Sequence, residues 1–253
     1  MPRHATPRHA TPRHIIFLLL FLIIFSNSQV RAADISTGLV AHWKLDGDAK
    51  DYSGKNNDGT NNGATPTTDR FGRANGAMSF DGGTQYVSVG QHVSLSPSLV
   101  SLSVWINPVV VAGYADGAVI AGYSDVVHWT NGYMFYANDN KVVFGVGNGT
   151  DLLRISTAIG AGSWAHLVGV FDGNNIYLYL NGVIVANQNA VSMVYNGTNT
   201  FSIGHTFVSY FHGSIDDVRV YNRALTPADV TALYHNGGPT ALRNGSLRNA
   251  KLQ

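Results

Sequence analysis

Sixteen residues from Lys44 to Gly59, KLDGDAKDYSGKNNDG, hold four aspartates, three glycines and two asparagines. Carboxylates and turn carbonyls at this density are the donors that calcium takes, six to eight oxygens in flexible geometry. The EF-hand arrangement is excluded. Counting from Asp46, the fifth position is Lys50, the sixth is Asp51 in place of glycine, and the twelfth is Asn57 in place of glutamate. The same residue types also form turns, through side-chain caps and positive φ. Two readings therefore stay open for this stretch, a metal loop and a run of turns.

Catalytic chemistry finds little support. Glycoside hydrolysis ordinarily needs two carboxylates flanking the scissile bond. The chain contains no glutamate, all 15 acidic residues being aspartate. No expected strand carries two aspartates at i, i+2, and Asp216 and Asp217, being adjacent, should point to opposite faces of a strand. Cysteine is absent, as are the G-x-S-x-G and H-E-x-x-H patterns. His42, His128, His166, His205 and His212 are scattered along the chain.

Aromatic residues among polar neighbours offer a different chemistry, the packing of a sugar's apolar face on a ring. Two stretches supply that mixture: GYSDVVHWTNGYMFY (122–136) and VYNGTNTFSIGHTFVSYFHG (194–213). Trp43, Trp105 and Trp164 lie in regular apolar runs and read as core. Trp129 is the one tryptophan in an expected loop, which makes it the first candidate for glycan contact. His128, Tyr133, Tyr210 and His212 join it as candidates.

The elements that must position these residues follow from composition and pattern. The 253 residues are 45% hydrophobic and only 12% charged, with 28 glycines, against a usual charged fraction of about 25%. Such a chain is turn-rich and all-β. Seven of the 16 basic residues lie in the first 31 positions or the last 11, so the body carries 9 against 15, a net charge of −6. An acidic body argues against nucleic acid as partner. Residues 1–33 have the layout of a secretory signal peptide, with basic PRHAT repeats, an apolar run from Ile15 to Phe25 and small residues near Ala32. That run is short of the roughly 20 residues a spanning helix needs. The expected location is therefore secreted, periplasmic or cell-surface, with no membrane contact beyond the signal peptide. Residues 239–253 read as a flexible basic tail.

Between them, short apolar-alternating runs separated by Gly, Asn and Asp predict about twelve strands: 38–45, 77–80, 85–89, 100–106, 132–137, 141–147, 152–157, 164–171, 176–180, 183–187, 201–204 and 214–222. The clearest piece is WAHLVGVFDGNNIYLYLNGVIVA, a three-strand meander turned at Asp172-Gly173 and Asn181-Gly182. One helix is expected in LTPADVTALYHNGG. Thr226 serves as N-cap, Pro227 as first residue, Asp229 completes a capping box, and Leu225 with Val230 forms a hydrophobic staple. The pattern predicts a two-sheet antiparallel jelly-roll sandwich with one short C-terminal helix, a single domain over 34–238.

Several ordered motifs resemble the laminin-G-like jelly-roll family of the concanavalin A-like lectin and glucanase superfamily, in its bacterial branch. They are GLVAHWKLDG (38–47), DYSG (51–54) with DGT (58–60), FDG (80–82), SVWI (103–106), WAHL (164–167), LYLNG (178–182) and GSIDDVRVYNRAL (213–225). The resemblance implies that fold and, in many members, a structural calcium tying the N-terminal loop to the last strand. Carried onto this chain, the site would join Asp216 to Asp46, Asp48 or Asp51 and nearby carbonyls. It further implies a secreted, non-catalytic binding module for a polysaccharide or glycoprotein glycan. The alternatives are a protein-interaction domain of the cell envelope and, behind both, a glycan hydrolase.

Overall fold

The computed structural model describes residues 33–109, 117–125, 129–190, 192–205 and 209–236. Apart from Ala33, the expected signal peptide and the basic tail lie outside these residues, as does His128.

Fifteen strands are present among the described residues. In chain order they are β1 (Leu39–Trp43), β2 (Thr60–Asn62), β3 (Thr65–Thr67), β4 (Ala77–Asp81), β5 (Tyr86–Gly90), β6 (Val100–Pro108), β7 (Ala118–Ser124), β8 (Asn131–Asn138), β9 (Lys141–Asn148), β10 (Leu152–Ala158), β11 (Ala165–Phe171), β12 (Asn175–Leu180), β13 (Val183–Asn189), β14 (Thr200–Ile203) and β15 (His212–Tyr221). One helix, α1 (Pro227–His235), closes the described chain. Twelve strands match the expected runs. The three additional ones are β2, β3 and β7.

The strands form two antiparallel sheets, a jelly-roll sandwich. The eight-stranded sheet runs β13-β12-β11-β6-β15-β4-β3, with β1 also paired to β15. The seven-stranded sheet runs β10-β9-β8-β7-β14-β5-β2. Alternation decides which face each residue takes. On β6, Leu102, Val104 and Ile106 enter the core between the sheets, while Ser103 and Trp105 face outward. On β8, Tyr133, Phe135 and Ala137 enter the same core from the other sheet. Gly169 on β11 is required there: a Cβ on it would come 2.2 Å from Phe144 Cδ2, so the Phe144 ring packs directly on bare backbone.

The two outer faces differ. That of the eight-stranded sheet is covered by α1, whose Val230 and Leu233 pack with Val168, Val170, Tyr179 and Tyr221. The expected capping box is present: Asp229 N–H donates to Thr226 Oγ1 at 3.2 Å, and Thr226 N–H donates to Asp229 Oδ2 at 2.9 Å. The outer face of the seven-stranded sheet carries a smaller apolar cluster, Val119, Met134, Tyr136 and Val143, with Trp129 and Leu152 against it.

Candidate functional site

Of the carboxylates expected to hold calcium, Asp46 lies close enough to Asp216 and Asp217 to feel their charge, whereas Asp48 and Asp51 are committed to their own loop. Asp51 spends both oxygens on its own loop. Oδ1 accepts the His42 and Ser53 N–H groups at 2.9 and 2.8 Å, and Oδ2 accepts the Asn57 N–H at 3.0 Å and the Ser53 hydroxyl. Asp48 accepts the Lys50 N–H and the Tyr52 hydroxyl, and Asp46 is exposed. Among the described residues no three His or Asp side chains are grouped as metal ligands. The stretch 44–59 is a set of turns locked on Asp51 and on Asn57, whose carbonyl accepts the Trp43 indole N–H at 2.8 Å.

Asp216 has a cation of another kind. The Arg70 guanidinium bonds Asp216 through Nη1 and Asp217 Oδ2 through Nη2, the latter at 2.7 Å. Two successive residues of a regular strand cannot meet one group, because their side chains alternate. Here they can, because the ladder between β15 and β6 shifts register between Asp216 and Arg219 and Asp217 sits at φ +52°. This is a β-bulge, and it corrects the expectation that the two aspartates diverge. The bulge falls where β15 changes partner, from β4 over residues 212–215 to β1 over 218–221. His42 Nε2 and Arg219 Nη2 complete the cluster on Asp217 Oδ1 at 2.8 and 3.0 Å. Burial works to raise the Asp217 pKa, but the His42 hydrogen bond and the charges of Arg219 and Arg70 outweigh it and hold the group well below the usual carboxylate range. Asp216 moves up, through burial and the Asp217 charge. The arrangement is an ion-pair seam, and a site with a guanidinium seated on its key carboxylate does not fit calcium.

One serine–histidine pair lies nearby. Ser103 Oγ is 2.9 Å from His166 Nε2, with the two residues 0% and 1% exposed. His166 Nδ1 has no hydrogen-bond partner, so nothing orients the ring as a catalytic base. The pair lies against Trp105, which stacks on His166 at 4.9 Å and on Tyr234 of α1 at 5.6 Å. Burial and the charges of Arg219 and Arg70 push the His166 pKa down to about 3. It is a neutral core histidine.

The glycan candidates separate. Trp129 is half-buried at φ +54°, a conformation costly for a bulky residue, and its ring lies 5.1 Å from Tyr136. It borders a cavity of about 200 Å³ on the outer face of the seven-stranded sheet, shared with Tyr86, His205, Ser88, Ser124 and Ser202. Tyr210 stands behind this group, 4.6 Å from the His205 ring and 6.3 Å from Tyr86. Tyr133 is corrected: it is fully buried between the sheets, its hydroxyl donating to the Leu95 carbonyl at 3.0 Å. It faces inward because β8 places residues 133, 135 and 137 on its core side. His212 is also corrected. It belongs to β15 of the other sheet, opposite Asp81, and does not line the cavity. Tyr86, Ser88 and Ser202 were missed. Tyr86 and Ser88 were readable from YVSVG, where Val87 and Val89 turn in and residues 86 and 88 must turn out.

Two antiparallel sheets packed face to face make a jelly-roll sandwich, with α1 on one outer face and a depression on the other. The chain belongs to the Laminin_G_3 family, described as concanavalin A-like lectin/glucanases superfamily, whose model matches residues 81–231. No curated protein matches the sequence. Among solved structures it is similar to domain 4 of AbnA, a GH43 extracellular arabinanase from Geobacillus stearothermophilus, in complex with arabinotriose. That likeness has a TM-score of 0.63 and 21% identity, over 78% of this chain and 98% of that one. It is similar to the binding domain of Paraclostridial Mosquitocidal Protein 1, with TM-score 0.66 and 16% identity over 80% and 53% of the two chains. It is also similar to the binding domain of botulinum neurotoxin DC, solved with rat synaptotagmin II and with SialylT. The TM-scores there are 0.64 and 0.62, at 14% identity, over 82% and 53% of the two chains. The chain spans about half the length of those toxin domains. At these identities the likeness shows the fold.

Proposed function

We propose that this protein is an exported, non-catalytic binding module that takes a glycan at the cavity beside Trp129. The observation that carries the reading is the composition of that cavity. Rings from Trp129, Tyr86 and His205 stand among the hydroxyls of Ser88, Ser124, Thr200 and Ser202, an apolar platform edged by groups that both donate and accept hydrogen bonds. Among the described residues none that lines it is a carboxylate, so the acid and base of a glycosidase have no counterpart among them. The arabinotriose complex of a similar domain and the binding domains of toxins support the class of function. Export rests on the layout of residues 1–33.

The test is a glycan array followed by titration of the full chain with each glycan retained. Trp129→Ala should weaken binding roughly tenfold or more, as loss of an aromatic anchor does, with the melting temperature little changed. Retained affinity in that variant sinks the assignment of the site. Protein recognition is the second reading, favoured by Val183, Ile184 and Val185 on the edge strand β13, which are 64%, 46% and 42% exposed.

A further inference from the structure

Two cations on the outer face of the seven-stranded sheet stand outside every ion pair among the described residues, Arg154 being hydrogen-bonded to Tyr136. Among the described residues Arg70, Arg73, Arg219 and Arg223 all form ion pairs with aspartate. Lys44 lies over the Tyr52 ring, and Lys50 and Lys55 belong to the aspartate-rich loop. Lys141 and Arg154 are both exposed and form no ion pair among the described residues. They border one groove of about 330 Å³, with Tyr136, Asn138 and Ser156. Among the described residues Asp139, on the β8–β9 turn, is the one carboxylate lining it.

The ladder explains why these residues share a face. Lys141 and Val143 lie two apart on β9, and Arg154 and Ser156 two apart on β10. Val143 is paired to Ser156 and to Tyr136, and Tyr136 to Val119. Val119, Tyr136, Val143 and Ser156 thus form one row across four strands. Val119 borders the cavity beside Trp129, and Tyr136 packs on Trp129 while lining the groove. From β14 at the middle of the first depression to β9 at the middle of the second is three strand spacings, about 14 Å. The two depressions lie side by side on one surface, the first uncharged and the second cationic.

We propose that the Lys141–Arg154 groove is a second subsite, which takes the anionic group, carboxylate or sulfate, of an acidic oligosaccharide whose neutral portion rests at Trp129. The proposal builds on the glycan reading above. A body of net charge −6 repels a polyanion over most of its surface, so this groove directs where such a chain can lie. A planar guanidinium beside a flexible ammonium suits either anion.

The experiment is calorimetric titration of the full chain at low and high salt. Three probes are used: an oligogalacturonate, its fully methyl-esterified neutral form, and a sulfated galactan oligosaccharide. At least one acidic probe should bind more tightly than the neutral one, with an affinity that falls as salt rises. The double variant Lys141→Ser, Arg154→Ser should lose about tenfold for that probe, lose the salt dependence and keep the neutral affinity. The two acidic probes separate carboxylate from sulfate. Equal affinity for neutral and acidic probes overturns the subsite and leaves the Trp129 reading standing. Acidic binding that the double variant does not weaken also overturns it. Acidic binding that depends on Lys141 and Arg154 but ignores Trp129→Ala upholds the groove and removes the aromatic site. If none of the probes binds at millimolar concentration, the subsite falls.

Discussion

Arg70 reaches two successive carboxylates, and its neighbours make that reach possible. Asp69, 3% exposed, accepts the backbone N–H groups of Phe71 and Arg73 at 2.8 Å each and the Arg73 Nε at 2.6 Å. That loop turns Arg70 inward, over the Trp105 ring at 4.5 Å and onto the Asn236 carbonyl. Removing the guanidinium would leave two buried carboxylates against each other. Arg70→Ala should destabilise the fold by about 3–5 kcal/mol, the cost of breaking a buried pair from one side. Denaturant unfolding would measure it, and a loss under 1 kcal/mol would contradict the seam. Melts of the unaltered chain in calcium and in chelator should superpose. A calcium-dependent rise that Asp216→Ala abolishes would restore the metal reading. The aspartates of this seam were visible in the sequence, but their partner was not. Nothing in TDRFGRANG distinguishes a buried arginine from a surface one, and a bulge carries no mark when its residue at positive φ is an aspartate. Trp129 stood out in the sequence as the one tryptophan in an expected loop, and the structure places it at the edge of the cavity.

At the scale of elements, local chemistry was readable wherever it is self-contained. Thr226, Pro227 and Asp229 specify the start of α1 with no help from elsewhere, and Asn181-Gly182 at φ +51° and +83° turns β12 into β13. Thr226→Ala should cost about 1 kcal/mol. Circular dichroism of the unfolding transition would register it as a lower midpoint, and an unchanged midpoint would mean that α1 is held by packing alone. β7 was missed for a physical reason. All seven of its residues are buried, so the apolar–polar alternation that marks a one-sided strand is absent from AVIAGYS. β2 and β3 have three residues each, and their alternation is too short to read.

The whole molecule carries buried histidines that tie its stability to pH. His166 is neutral in the folded state, with its pKa pushed to about 3, whereas in the unfolded chain it titrates near 6.5. The unfolded state therefore binds more protons below pH 6.5, and stability falls as pH drops through that range. His42 acts in the same direction, its pKa lowered by burial. The His166 contribution alone should amount to about 2 kcal/mol between pH 7 and pH 5. Denaturation curves across that interval would show it, and His166→Gln should flatten the slope. Asp216, whose pKa is raised, acts in the opposite direction, so the His166 part is read as the difference between the two chains, and identical slopes would mean that the histidine is hydrated and protonates freely. At this scale the sandwich and its helix were legible, because a dozen short amphipathic runs admit few other packings. Which outer face stayed bare was not, because that depends on where α1 lies down.

The covering of one face by α1 also sets a direction. Ile35 and Leu39 join the cluster beneath the helix, Tyr221 donates its hydroxyl to the Ile35 carbonyl at 3.0 Å, and Arg223 holds the Thr37 carbonyl. The described chain thus enters and leaves on the same side, behind the eight-stranded sheet. The aromatic and cationic depressions lie on the other sheet, away from both ends of the described chain. On the proposed reading, a polymer seated there would lie clear of the side on which the described chain begins and ends.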